Sequence, residues 1–227
     1  MYDIVFISYK EPNAEENFSD LYKRFNTVTM FGDRVKRVKD IKGIHNAHVE
    51  AAKMVSTSYF FIVDGDAKIM PDFKFDYTTD DEDFVHVYRS VNPINDLVYG
   101  YGGVKLFPTN QTRNMDTSTT DMTTSITKNF KIINEIANIT AFNTDPFNTW
   151  KSAFRECAKL SSKTIRRQKD DETNARLKTW TTVGHDRPFG KYALAGATAG
   201  MEFGLSGGSD LRLINDFDWL KEKFNEH

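Results

Sequence analysis

Apolar positions along the chain fall into two kinds of run, and their order predicts the first half of the fold. Within Asp3–Tyr9 the residues Ile4-Val-Phe-Ile7 are continuous, as in a strand buried on both faces of a sheet. Pro12 then excludes a continued central strand. Asn13, with Glu16 three residues later, has the spacing of a capping box, and Phe18, Leu21, Tyr22 and Phe25 follow at helical spacing. A short strand is expected over Arg34–Val38. Gly43 precedes a second helix with Ile44, Ala47, His48, Ala51, Ala52 and Val55 on one face. Tyr59–Val63 is again unbroken and apolar. Strand, helix, strand, helix, strand implies parallel pairing through right-handed crossovers.

Beyond residue 64 the pattern is less regular. Strands are expected over Phe84–Arg89, after the acidic stretch Asp76–Asp83, over Val98–Phe107 and over Phe130–Ile139. Thr109–Thr127 reads as loop or short helix. Asp145-Pro146 is a helix start, with Asp at the N-cap and Pro at the first helical position, and opens a long helix to about Gln168. Further helices are expected over Asp171–Trp180, Ala193–Gly200 and Asp216–Phe224, with a break at Gly184-His-Asp-Arg-Pro188. The predicted fold class is α/β, with a mostly parallel central sheet flanked by helices and a helical C-terminal part. The expected division is an α/β half over 1–107 and a helical, acceptor-side part over 108–227.

The Tyr59–Val63 run stops at Asp64-Gly-Asp66. In open α/β sheets ligands bind beyond the carboxyl ends of strands, so these acids stand where such a fold keeps its chemistry. Two carboxylates two residues apart in extended chain point the same way and reach one hard cation, and Gly65 permits close approach to the backbone. The pair reads as a clamp for Mg²⁺ or Mn²⁺ on a phosphate-bearing substrate, although a polar turn closing a strand has the same composition. The topology also gathers the Ser8-Tyr9-Lys10-Glu11 loop and the Gly43–Asn46 helix start at that sheet edge. His45 is expected to face the site and His48 the core.

Composition narrows the field a little. The chain has 227 residues and a formal net charge of −2, so any case for an anionic partner must be local. No apolar run approaches the ~20 residues of a membrane span, the N-terminus lacks the features of a signal peptide, and the lone Cys157 excludes an intrachain disulfide. A cytoplasmic protein is expected. Basic residues concentrate over 151–169, where seven Lys or Arg face one acid, Glu156. Lys151, Arg155, Lys159, Lys163 and Arg167 recur every fourth residue, so on one helix they would form a row of roughly 24 Å. Such a row suits a nucleic-acid backbone; a solvated helix face has the same pattern.

The βαβαβ start, the Gly43–Asn46 helix N-terminus and Asp64-Gly-Asp66 after the third strand resemble the nucleotide half of GT-A glycosyltransferases, nearest to family 2. Longer runs (Lys42-Gly-Ile-His-Asn-Ala-His48, Asn92–Lys105, Phe142–Glu156 and Asp186-Arg-Pro-Phe-Gly190) resemble glycosyltransferase-like proteins of large tailed phages. The resemblance implies a GT-A fold and transfer of a sugar from a nucleoside diphosphate sugar, a UDP-sugar foremost, to a hydroxyl acceptor. For a phage protein this would take place in the host cytoplasm, and a hydroxymethylated cytosine in double-stranded DNA is one such acceptor. Asp64 and Asp66 would hold the metal, and His185 would complete its shell. Ser8, Tyr9, Lys10 and Glu11 would line the nucleobase pocket, with Gly43, His45 and Asn46 at the ribose or phosphates and Arg187 at the diphosphate. Asp121 would be the catalytic base. Two rival readings remain. One is a phosphohydrolase of the haloacid dehalogenase type, in which the first Asp is a nucleophile. The other is a non-catalytic nucleic-acid-binding module.

Overall fold

A computed structural model of the chain describes residues 1–100, 103–118, 122–163, 169–206 and 210–226. Contacts divide the chain into two compact units, Met1–Val91 with Val98–Ala141, and Asn92–Leu97 with Phe142–His227. The expected division after residue 107 instead cuts a strand of the first unit.

In chain order the first unit contains β1 (Asp3–Ser8), α1 (Ala14–Phe25), β2 (Val28–Thr29), β3 (Gly32–Asp33), β4 (Val35–Lys39), α2 (Ile44–Lys53), β5 (Tyr59–Asp64), β6 (Ala67–Ile69), β7 (Val85–Val91), β8 (Val98–Tyr99), β9 (Val104–Pro108), α3 (Thr109–Arg113), α4 (Met122–Ile126) and β10 (Phe130–Thr140). The main sheet has the order β4-β1-β5-β9-β7-β10-β6, with β8 beside β7, and β2 and β3 form a separate hairpin. The β4–β1, β1–β5 and β7–β10 pairs are parallel. The β5–β9, β9–β7, β10–β6 and β7–β8 pairs are antiparallel. The sheet is therefore mixed, not mostly parallel. An unbroken apolar run reports burial on both faces but not strand direction: all five residues of β9 are buried, yet it runs against both neighbours.

The apolar run at β5 serves two cores. Tyr59, Phe61 and Val63 pack with Ile4, Phe6, Leu21 of α1, Phe73, Phe75 and Tyr88. Phe60 and Ile62 pack on the opposite face with Val5, Ala47, Ala51 and Ala52 of α2, Phe107, Met115, Met122 and Ile126. Alternate residues thus fill both layers, which is why the run carries no polar position. The expected capping box at Asn13 does not form: its side chain makes no cap bond to α1 and instead donates to Ala141 O at 2.9 Å.

The second unit holds α5 (Pro146–Ser161), α6 (Asp170–Thr182), α7 (Gly190–Leu205), a 3₁₀ turn (Leu211–Asn215) and α8 (Phe217–Asn225). Its core joins Trp150, Phe154, Ala158, Ile214 and Leu220 with Phe147, Tyr192, Phe203, Phe217, Trp219 and Phe224. Asp145 caps α5 as expected, accepting from Asn148 N at 2.9 Å with Pro146 in the first turn. Helix α5 stops at Ser161, not near Gln168, and Lys163 adopts a left-handed φ of 56°. Among the described residues no helix is long and apolar enough to cross a membrane.

Candidate functional site

Asp64 is the last residue of β5, and its N–H donates to Gly103 O at 2.9 Å. The chain then turns. Gly65 and Asp66 form a tight reversal into β6, which pairs with β10. The two carboxylates therefore flank a turn, and the extended-strand argument for a shared direction does not apply to them. The turn is fixed from several sides. Gly65 O accepts from the buried Asn17 side chain at 3.0 Å, and Asp66 O accepts from Ala141 N at 2.7 Å.

Glycine at 65 lets the Glu11 carboxylate approach the turn closely. A Cβ there would lie 2.5 Å from Glu11 Oε2 and 3.2 Å from Ile7 O. Glu11 reaches this point because the loop after β1 folds back: Lys10 takes a left-handed φ of 64°, and Tyr9 N–H donates to Glu11 Oε2 at 2.6 Å. A third carboxylate thus lies over the Asp-Gly-Asp turn. Lys10 Nζ sits over the Tyr9 ring, 5.5 Å from its centre. Ser8 is buried, and its hydroxyl accepts from Arg37 at 3.1 and 3.3 Å. Arg37 also holds Glu15, whose carboxyl is pushed down to about 2 by Arg37 first and Lys39 second. Ser8 therefore anchors the loop from within.

Helix α2 begins beside this edge. Gly43 precedes it with φ 93°, a conformation that L side chains rarely adopt. Asn46 is exposed and donates to Lys42 O at 3.2 Å. His45 Nε2 lies 3.0 Å from Ser125 Oγ of α4. Hydrogen bonds from Ser118 hold the nearby Asp116 carboxyl below its usual range, with a smaller contribution from His45. His48 is buried in the core, as expected. Its Nδ1 lies 2.7 Å from Ile44 O, and burial pushes its pKa down to about 3.

The sequence reading missed Lys105. Its ammonium lies 3.4 Å from Asp64 Oδ2, the lysine side chain 10% exposed and the aspartate 35%. The signal was present: a lysine inside the apolar run Val104-Lys-Leu-Phe-Pro108 is the anomaly that buried strands rarely tolerate. The loop position of Glu11 over Gly65 carried no comparable signature.

Other expected residues fall elsewhere. Asp121 and Arg167 lie outside the described residues. His185 and Arg187 belong to the second unit, in an exposed turn before α7, where Arg187 pairs with Asp96 at 2.7 Å. They line an open depression of about 370 Å³ with Pro146, Phe189, Lys191 and Tyr192. The basic row does not form as expected, because α5 ends before Lys163. Its described members are engaged locally: Lys151 with Asn148 and the Phe217 ring, Arg155 with Ile214 O and Asn215, Lys159 with Glu156, and Lys163 with Asp170.

Carboxylate oxygens at one turn fit a hard divalent cation, which binds a few such ligands together with substrate phosphates. Among the described residues no three His, Cys, Asp or Glu side chains are grouped to hold a metal by themselves. No protein-family model matches the chain, and no curated protein matches it at a significant level.

Proposed function

We propose that this protein is a glycosyltransferase of the GT-A type, moving a sugar from a nucleoside diphosphate sugar, most simply a UDP-sugar, to a hydroxyl acceptor with Mn²⁺ or Mg²⁺. The observation that carries the reading is the Asp64-Gly65-Asp66 turn at the carboxyl end of β5, with Glu11 folded over it. The order β4-β1-β5 with parallel pairing and helical crossovers, followed by antiparallel β9, supports the same reading.

Asp64 and Asp66 would hold the cation, which would supply positive charge against the departing diphosphate. Gly43 starts the ten-residue helix α2 without a side-chain cap, and that helix N-terminus would face phosphate or ribose oxygens. The loop from Tyr9 to Glu11 presents the Tyr9 ring to the nucleobase and closes the turn from above. The roles given to Asp121, His185 and Arg187 rest on the resemblance and call for separate substitution. The resemblance also suggests a hydroxymethylated base in DNA as acceptor. The basic row lends that acceptor no support, because its four described side chains, Lys151, Arg155, Lys159 and Lys163, are engaged within their own unit.

A thermal-shift panel of nucleoside diphosphate sugars with and without Mn²⁺ tests the reading. A ligand at 100 times its Kd adds ~2.7 kcal/mol of apparent stability. Asp64→Asn and Asp66→Asn are each expected to remove the metal-dependent shift and sugar transfer while circular dichroism stays native. A panel without any metal-dependent shift overturns the proposal. Turnover of p-nitrophenyl phosphate would replace it with the phosphohydrolase reading. Glucosylation assays on hydroxymethylcytosine DNA and on free hydroxyl compounds then sort the acceptors.

A further inference from the structure

Lys105 is out of place for a structural residue. It sits in β9, a strand flanked by β5 and β7, paired with Ile62 on one side and Val87 on the other. Val104, Leu106, Phe107 and Pro108 around it are buried, and Lys105 itself is only 8% exposed. A buried ammonium has three donors to satisfy. Here it meets Asp64 Oδ2 at 3.4 Å, long beside the ~2.7–2.9 Å of a well-made charged hydrogen bond, and the Phe107 ring 5.9 Å from its centre. The Phe107 ring also packs against His48, 5.8 Å between centres. His48 is 3% exposed, and its Nε2 has no hydrogen-bond partner. The neighbourhood therefore holds a cation with donors to spare and an unused buried imidazole nitrogen. Buried charges persist where they are paired and hydrogen-bonded, and the resting protein supplies that only in part.

We propose that Lys105 grips the phosphates of the bound donor and that Asp64 is its resting counter-ion, so that ligand binding exchanges one anion for another. This rests on the nucleotide-sugar reading of the site and adds to it a cationic phosphate ligand rising from the sheet floor. The exchange would also free the Asp64 oxygen that faces Lys105, leaving that carboxylate available as a ligand for a divalent cation. The alternative is that Lys105 exists only to neutralise Asp64.

The two accounts predict different outcomes, read by titration calorimetry on the full chain with metal chelated, using inorganic pyrophosphate, UDP and uridine. If Lys105 grips phosphate, Lys105→Met weakens pyrophosphate and UDP at least about tenfold and leaves uridine unchanged. Asp64→Asn, which removes the competing carboxylate, tightens metal-free pyrophosphate binding. If Lys105 only neutralises Asp64, Lys105→Met keeps the UDP-to-uridine ratio, and Asp64→Asn leaves pyrophosphate binding unchanged or weaker; either result overturns the proposal. Should Lys105→Met not fold, Lys105→Gln takes its place in the same titrations, because Asp64→Asn alone also removes a charge that repels pyrophosphate. Wild-type protein that binds pyrophosphate but neither UDP nor uridine, with or without Mn²⁺, would refute the nucleotide reading and leave Lys105 as an anion ligand. Wild-type protein that binds no pyrophosphate refutes the Lys105 assignment.

Discussion

Burial holds the His48 imidazole neutral, and the charges of Lys105 and His45 push in the same direction. The unfolded chain protonates this residue near the ordinary value of 6.5, whereas the folded chain does so only near about 3. Between those values the unfolded state binds more protons, so stability is full above the higher value and is lost as pH falls through the window. The slope is at most about 1.4 kcal/mol per pH unit. Replacing His48 by Gln should therefore reduce the stability lost between about pH 7 and about pH 5 by about 2 kcal/mol, read from urea midpoints. An undiminished loss would mean that the folded protein protonates His48 readily. His86 is also depressed by burial, against the pull of Asp81, and the comparison of variant with wild type cancels its contribution. His48 was legible in the sequence because its helix face was legible. The pairing of Lys105 with Asp64 was not, since it joins residues 41 positions apart and depends on β9 lying next to β5.

At the scale of elements, periodicity located strands and helices where one physical requirement dominated. The two-sided burial of β5 and the cap at Asp145 are such cases. It failed where several local choices were close in energy. The basic stretch after α5 looks helical by composition, yet the helix stops at Ser161 and Lys163 turns left-handed. Like charges at four-residue spacing disfavour extending a helix, and this stretch had little apolar surface to offset them. Strand direction in β9 was hidden for the reason given above. Helix α7 was expected from its small residues, and the structure gives them a use. A Cβ on Gly196 would lie 2.3 Å from Trp150 O, and one on Gly200 2.2 Å from Phe154 O, both on α5. Gly200→Ala should gain about 1 kcal/mol of helix propensity but lose more to the clash with backbone, for a net destabilisation of about 1–3 kcal/mol. Urea titration followed by tryptophan fluorescence measures it, and a stabilised variant would contradict the close α5–α7 packing.

At the scale of the whole molecule, each unit has its own apolar core, and the chain passes from the first to the second twice. Trp150, Trp180 and Trp219, all the tryptophans of the protein, lie in the second unit. Tryptophan emission, excited selectively over tyrosine, therefore originates in that unit. Ile94 is 1% exposed and lies against Gly184, whose φ is 98° and where a Cβ would come within 2.2 Å of Ile94 O. Ile94→Ala should lower the tryptophan-detected transition by about 2–5 kcal/mol. A transition unmoved by the substitution would show that residues 92–97 do not stabilise the second unit.

That short segment has a further consequence during synthesis. Residues 92–97 link β7 to β8, and the loop is braced by its own hydrogen bonds, from Asn92 N to Leu97 O, Asp96 N to Asn92 O and Ile94 N to Asn92 Oδ1. The first unit is complete once Ala141 has left the ribosome, while the rest of the second unit is still to come. At ~5–20 residues per second, Ile94 waits on the order of ten seconds for the helices that will cover it. The nascent chain thus carries a preshaped loop with the apolar Ile94 still uncovered ahead of its partners, and a ribosome paused soon after residue 141 would display it to chaperones.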